Sequence, residues 1–195
     1  MSSNEQNAFD EYDKSIIFYK ELQKESDRGC VLLASAYLDE CLKELLEANT
    51  IEDKEAFINL SSGSGGLATF SSRIDLSYLL GLISHETRRH LNIIRRIRNE
   101  FAHTMEIISF ETQSVSNRCR NLRTDDFVNV PDEARKIFIR AAWGIAGTLI
   151  GVTESSIKPK APNNKREISF EEYLKTKEAQ QYREAIMNRN LALDK

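Results

Sequence analysis

Cysteine is scarce in this chain. Cys30, Cys41 and Cys119 are an odd, sparse set without paired spacing, which argues against a disulfide framework or a zinc site. Cys30 and Cys41 lie in apolar helical surroundings and read as buried free thiols. Proline and glycine are also few, at three and eight in 195 residues. That is too little turn chemistry for a β-sandwich and suits helices joined by short loops. An excess of positive charge is missing too: the net charge is −3. Any nucleic-acid binding must therefore come from a local patch, not from a global field. Long apolar runs are lacking as well. The longest, Ala141 to Val152, holds about a dozen residues, whereas a membrane span needs about 20. It reads as a buried core helix. The opening "MSSNEQNAFDEYDK" has no apolar core, so a signal peptide is not expected and the expected location is cytoplasmic.

What is present is helical periodicity. Phe9, Tyr12, Ile16, Tyr19 and Leu22 recur at steps of three and four, one face of an amphipathic helix that Gly29 is expected to end. Cys30 to Asn49 follows with Leu33, Tyr37, Cys41 and Leu45 along one side and Leu38, Leu42 and Leu46 beside them. So wide a stripe belongs in the middle of a bundle. Asp39 and Glu40 interrupt it where the helix could face a cleft. The glycine- and serine-rich stretch Ser61 to Ala68 cannot continue a helix, and helical spacing resumes over 67–83. Ser84 has the character of an N-cap for a helix reaching about His103. A short helix is expected in "SFETQSVSNRCRNL", and Pro131-Asp132-Glu133 opens a further one that ends near Gly151. These elements predict an all-α, single-domain helical bundle over 1–153. Residues 154–168, with two of the three prolines, form the expected linker. A last helix within 169–195 starts at the Ser169/Glu172 capping box and docks on a neighbour.

"IRRIRNEFAH", Ile94 to His103, carries three arginines, an asparagine and a histidine. On a helix, Ile93, Ile94, Ile97 and Phe101 gather on one side. Arg88, Asn92, Arg95, Asn99 and His103 form one stripe opposite, with Arg96 and Arg98 on its shoulders. Five arginines and no lysine lie between Ser84 and His103. Guanidinium suits bidentate recognition of phosphate or carboxylate, whereas solubility alone is served equally by lysine. The stripe is thus a candidate ligand- or partner-binding face, the bland alternative being a solvated helix surface with i,i+4 pairs. Ser64, Gly65 and Gly66 could expose backbone N–H groups to an anion, with Arg73 as a helper. No Gly-Lys-Ser/Thr follows them, so this is not a P-loop. His85 and His90 lack metal-ligand partners at useful spacing, and Trp143 reads as core.

Arg98-Asn99 with Glu100-Phe101-Ala102-His103 resembles the Arg-x4-6-His signature of HEPN domains, which are all-helical, commonly dimeric and in many cases metal-independent ribonucleases. The ordered pieces "GSGGLATFSSRIDLSYLLGLI", "IRRIRNEFAH" and "SFETQSVSNRCRNL" resemble the mannitol operon repressor (MltR) family over roughly residues 29–150. That resemblance implies a helical regulator. No helix-turn-helix with a basic recognition helix, zinc finger or basic arm is apparent, so regulation is expected through a protein partner or a small anionic effector rather than direct, sequence-specific DNA reading. The HEPN resemblance implies an alternative: RNA cleavage with Arg98 or Arg95 holding phosphate, Asn99 orienting either and His103 transferring protons. That chemistry requires two copies of His103, hence a homodimer across the stripe. On an ideal helix Arg98 and His103 stand about 140° apart. A third reading is a structural oligomerisation module. No cofactor, metal or membrane is expected in any of the three.

Overall fold

The computed structural model describes residues 15–123, 133–162 and 174–184 without 178. Every described element is helical, and among the described residues there is no strand. Residues 15–24 form α1. There follow α2 (Asp27–Ala48), α3 (Lys54–Ser61), α4 (Phe70–Leu79), α5 (His85–His103), α6 (Gln113–Arg120) and α7 (Ala134–Ser155). The chain forms two compact units, Met1–Lys160 and Ala161–Lys195. In the second, the described residues hold a short helical stretch over 179–184, where the Ala179 N–H donates to Thr176 Oγ1. The Ser169/Glu172 capping box and Pro131-Asp132 lie outside the described residues.

The axis of the first unit is α2, which packs against α4, α5 and α7. Cys30, Val31, Ala34, Leu38, Cys41, Leu42, Leu45 and Leu46 are buried on it, and each large apolar side chain so buried contributes about 1.5–3 kcal/mol. Leu33, expected on this face, is 37% exposed. A strict four-residue spacing drifts about 40° per step, so Leu33 has left the face that Leu45 occupies. The expected break at Gly29 falls three residues earlier: Ser26 Oγ accepts the Gly29 N–H at 3.1 Å, which puts Gly29 inside the first turn of α2.

The helix α3 was not among the sequence expectations. Asp53 caps it by accepting the Ala56 N–H at 2.9 Å, and Phe57 and Ser61 are its buried residues. The expected helix over 67–83 is shortened at both ends to Phe70–Leu79. At its start, Leu67 and Ala68 donate back to Leu60 and Gly65 carbonyls, and Thr69 forms a capping box with Ser72. At its end, Gly81 takes φ +72°, and the Gly81 and Leu82 N–H groups reach the Tyr78 and Ser77 carbonyls. That is a left-handed helix stop for which glycine is the favoured residue.

By length and mean hydropathy (1.3), α7 is apolar enough to cross a membrane. Its inner face, including Ile137, Phe138, Ala142, Ile145, Ala146 and Leu149, belongs to the buried cluster shared with α2 and α5. It continues past Gly151 to Ser155. Trp143 is half-buried, and its Nε1 donates to Ser15 Oγ at 2.6 Å. All three cysteines are buried and none is in a disulfide. Burial pushes the thiols of Cys30 and Cys119 up to about 12, so neither ionises near neutral pH.

Candidate functional site

The phase of α5 is set at Ser84, whose Oγ accepts the Thr87 N–H at 3.0 Å. From that start His90, Leu91, Ile94, Ile97 and Phe101 turn inward. Of the outward residues, Arg95, Arg98 and Asn99 then face α2 and α4. A cleft of about 610 Å³ opens there, with Leu32, Ser35, Ala36 and Asp39 from α2 and Phe70 and Ser71 from α4. Ala68 and Thr69 close one end, and Arg95, Arg98 and Asn99 of α5 form the remaining wall. A second cleft of about 370 Å³ adjoins it, sharing Ser71 and Arg95 and adding Asp75, Arg88, Arg89, Asn92, Ile93 and Arg96.

The arginines of α5 are not equivalent. Arg88 is neutralised: its Nε and Nη2 donate to Asp75 Oδ1 at 3.0 and 2.7 Å, and the guanidinium lies over the Tyr78 ring. Arg89 donates to the Asn121 carbonyl at 2.9 Å, approaches Glu86 and packs against His90 Nε2 at 2.7 Å. Arg95 meets no acid among the described residues. Its Nε and Nη2 donate to Asn92 Oδ1 at 3.3 and 3.2 Å, while Asn92 Nδ2 donates to the Arg88 carbonyl. Arg98 likewise meets an amide, Asn99 Oδ1, at 3.1 Å. A carboxylate partner would cancel the charge, whereas an amide aims the guanidinium and leaves the charge intact.

One acid lines the larger cleft, and it is already matched. Asp39 Oδ1 lies 2.6 Å from Nη1 of the buried Arg73, whose Nη2 donates to the Ser61 carbonyl at 3.0 Å. Arg73 thus ties α4 to α2 and to the end of α3, its guanidinium engaged by Asp39 and the Ser61 carbonyl. The Ser64–Gly66 loop differs from an anion cradle at a helix start. The helix begins at Phe70, and the Gly65 N–H already donates to the Ser62 carbonyl. A Cβ at Gly65 would lie 2.2 Å from the Leu60 carbonyl oxygen, so the glycine serves close backbone packing.

His103 closes α5, is exposed and lines neither of these two clefts. Neither of these clefts brings Arg98 and His103 together. Glu100, between them, bonds to Arg118 and to the Ser114 hydroxyl of α6. Among the described residues no group of three or more His, Cys, Asp and Glu could hold a metal. Sequence reasoning marked Asp39 as facing a cleft. It missed Leu32, Phe70 and Ser71, whose apolar and hydroxyl character carries no signal until α2 and α4 are placed beside α5.

A solved structure shares this arrangement of helices. It is a chain of the X-ray structure of the MtlR-HPr complex from Escherichia coli, matched with a TM-score of 0.57 at 16% identity over 69% of this chain and 97% of that one. The protein has an MtlR-like fold. No family model matches the chain, and no curated protein matches it. The likeness is thus one of backbone architecture: nearly all of the neighbour's chain is reproduced here, while few of its residues are.

Proposed function

We propose that this protein is an MltR-like regulator that acts by docking a protein partner on the face of α5, with no DNA-reading element of its own. The single observation that carries the reading is the pair of arginines, Arg95 and Arg98, held by amides, lining a cleft and, among the described residues, unmatched by acid. Arg95 is half-buried and Arg98 exposed, so water screens their charges in the free protein, and an acidic surface brought against them gains charge-assisted, bidentate contacts without first having to break an internal ion pair. Their neighbours on α5, Arg88 and Arg89, show the alternative, being matched within the chain. The fold adds a direction: the neighbour that shares it was solved in complex with the protein HPr. A partner with acidic residues around its contact patch fits this surface, and HPr from the same organism as this chain is the first to try.

The test is titration of that HPr into the purified protein by calorimetry, beside Arg95→Glu/Arg98→Glu. Binding that weakens by about tenfold or more in the double variant, with the melting temperature unchanged, is the expected result. Equal binding by the variant would move the partner to another face. Sequence-specific retention of promoter DNA by the protein alone would overturn the reading.

A further inference from the structure

The larger cleft differs from a flat docking face in one respect: it carries two guanidinium groups, and the carboxylate on its lining, Asp39, is matched by Arg73. Arg95 Nη1, the outer edge of Arg98, Asn99 Nδ2 and Ser71 Oγ have no protein partner among the described residues, whereas Asn92 Oδ1 and Asn99 Oδ1 are already taken by the arginines. Whatever fills this space must supply acceptors and negative charge. The donors belong to α5 on one side and α4 on the other, so they approach from more than one direction. A planar carboxylate presents two oxygens in one plane, whereas a phosphate monoester presents three oxygens in a tetrahedron and can satisfy donors on both walls. Leu32 and Ala36 of α2 and Phe70 of α4 add apolar surface to the lining, beside Ser35 and Asp39. The volume, about 610 Å³, lies in the range of small-molecule sites.

We infer that this cleft is a binding site for a small phosphate monoester with an apolar or ring-bearing body. The phosphate sits on Arg95, Arg98, Asn99 and Ser71, and the body lies against Phe70 and Leu32. Such a ligand deepens the reading above, because it uses the guanidinium groups assigned there to the partner. It rests on that reading only for its regulatory meaning. A protein to which HPr fails to bind still returns an interpretable ligand titration.

The experiment is calorimetric titration of the full chain with phenyl phosphate, inorganic phosphate, benzoate and a short phosphoserine peptide, each at up to millimolar concentration. Phenyl phosphate is expected to bind tighter than the other three. Binding should fall by about tenfold or more in Arg95→Gln/Arg98→Gln, since each charge-assisted contact is lost without unmatched charge being introduced. Ser71→Ala, a change outside the core, should weaken it by about threefold or more and keeps the test valid if the double variant is poorly folded. Absence of phenyl phosphate binding, or binding that both variants retain, overturns the inference. Benzoate binding as tightly overturns the assignment to phosphate, inorganic phosphate doing so overturns the apolar subsite, and tighter peptide binding overturns the small-molecule assignment.

Discussion

His90 is a histidine whose chemistry the fold has changed. It is buried on the inner side of α5, and its Nε2 lies against the Arg89 guanidinium. Burial first and Arg89 second hold its pKa below the usual 6.5, with Glu86 opposing weakly. In the unfolded chain the imidazole takes up a proton as pH falls through about 6.5, while in the fold it stays neutral to lower pH. The unfolded state then binds more protons, so stability declines as pH drops below that point. The melting temperature should fall between pH 7 and pH 5 by more in the native protein than in His90→Gln, whose amide oxygen can still accept from Arg89. Parallel pH profiles for the two would remove His90 from this role. Arg73 and Asp39 make a second prediction at this scale. Arg73→Leu strands Asp39 and the Ser61 carbonyl and should cost about 2–4 kcal/mol, near the lower end because Asp39 reaches the open cleft. Adding Asp39→Leu should recover part of that loss, since an apolar pair replaces an ion pair more cheaply than a lone charge is buried. Denaturant unfolding of the single and double variants measures both.

At the scale of the element, α5 shows how a cap governs a site. Ser84 starts the helix, and one residue of slippage there would rotate every outward residue by about 100°. Ser84→Ala should cost about 1 kcal/mol and lower the melting temperature by about 2–4 °C, read by circular dichroism. This helix was legible almost to the residue, because an N-cap, an apolar face and a polar ridge all agree on it. Others were legible only in part. The α3 helix is short, with a strong cap in Asp53 but only Phe57 and Ser61 buried, so periodicity over its eight residues carries little signal. The ends of α4 were misplaced because Leu67, Leu82 and Ile83 continue an apolar rhythm through turns that the backbone closes with its own hydrogen bonds. Leu82 and Ile83 face the core from outside any helix.

For the whole molecule, the proposed docking is electrostatic, so HPr affinity should fall steadily as salt is raised and approach that of the charge-reversed variant. Salt-independent binding would assign the interface to apolar surface instead. The same pairing rules explain which arginines are left for a partner. Arg135 of α7 is absorbed in the frame: it bonds to Asp27 and to the Leu22 and Glu25 carbonyls, joining the end of α1 to the start of α2. Nothing at residue 135 in the sequence distinguishes it from Arg95 or Arg98. What distinguishes them is which carboxylate or carbonyl the folded chain brings alongside.

The sequence by itself determined that the protein is all-helical and that arginine and asparagine share an outward stripe on α5, together with the face of α5 and most of the face of α2 that enter the core. Those properties follow from local periodicity and capping, which act over a few residues. Tertiary structure alone decided that Arg88 is cancelled by Asp75, that Arg73 pairs with Asp39, that Leu32, Phe70 and Ser71 complete the cleft, and that His103 lies outside it. Each of those outcomes depends on distances between groups far apart in the chain. Charge pairing and cavity formation depend on such distances, and no spacing within one helix encodes them.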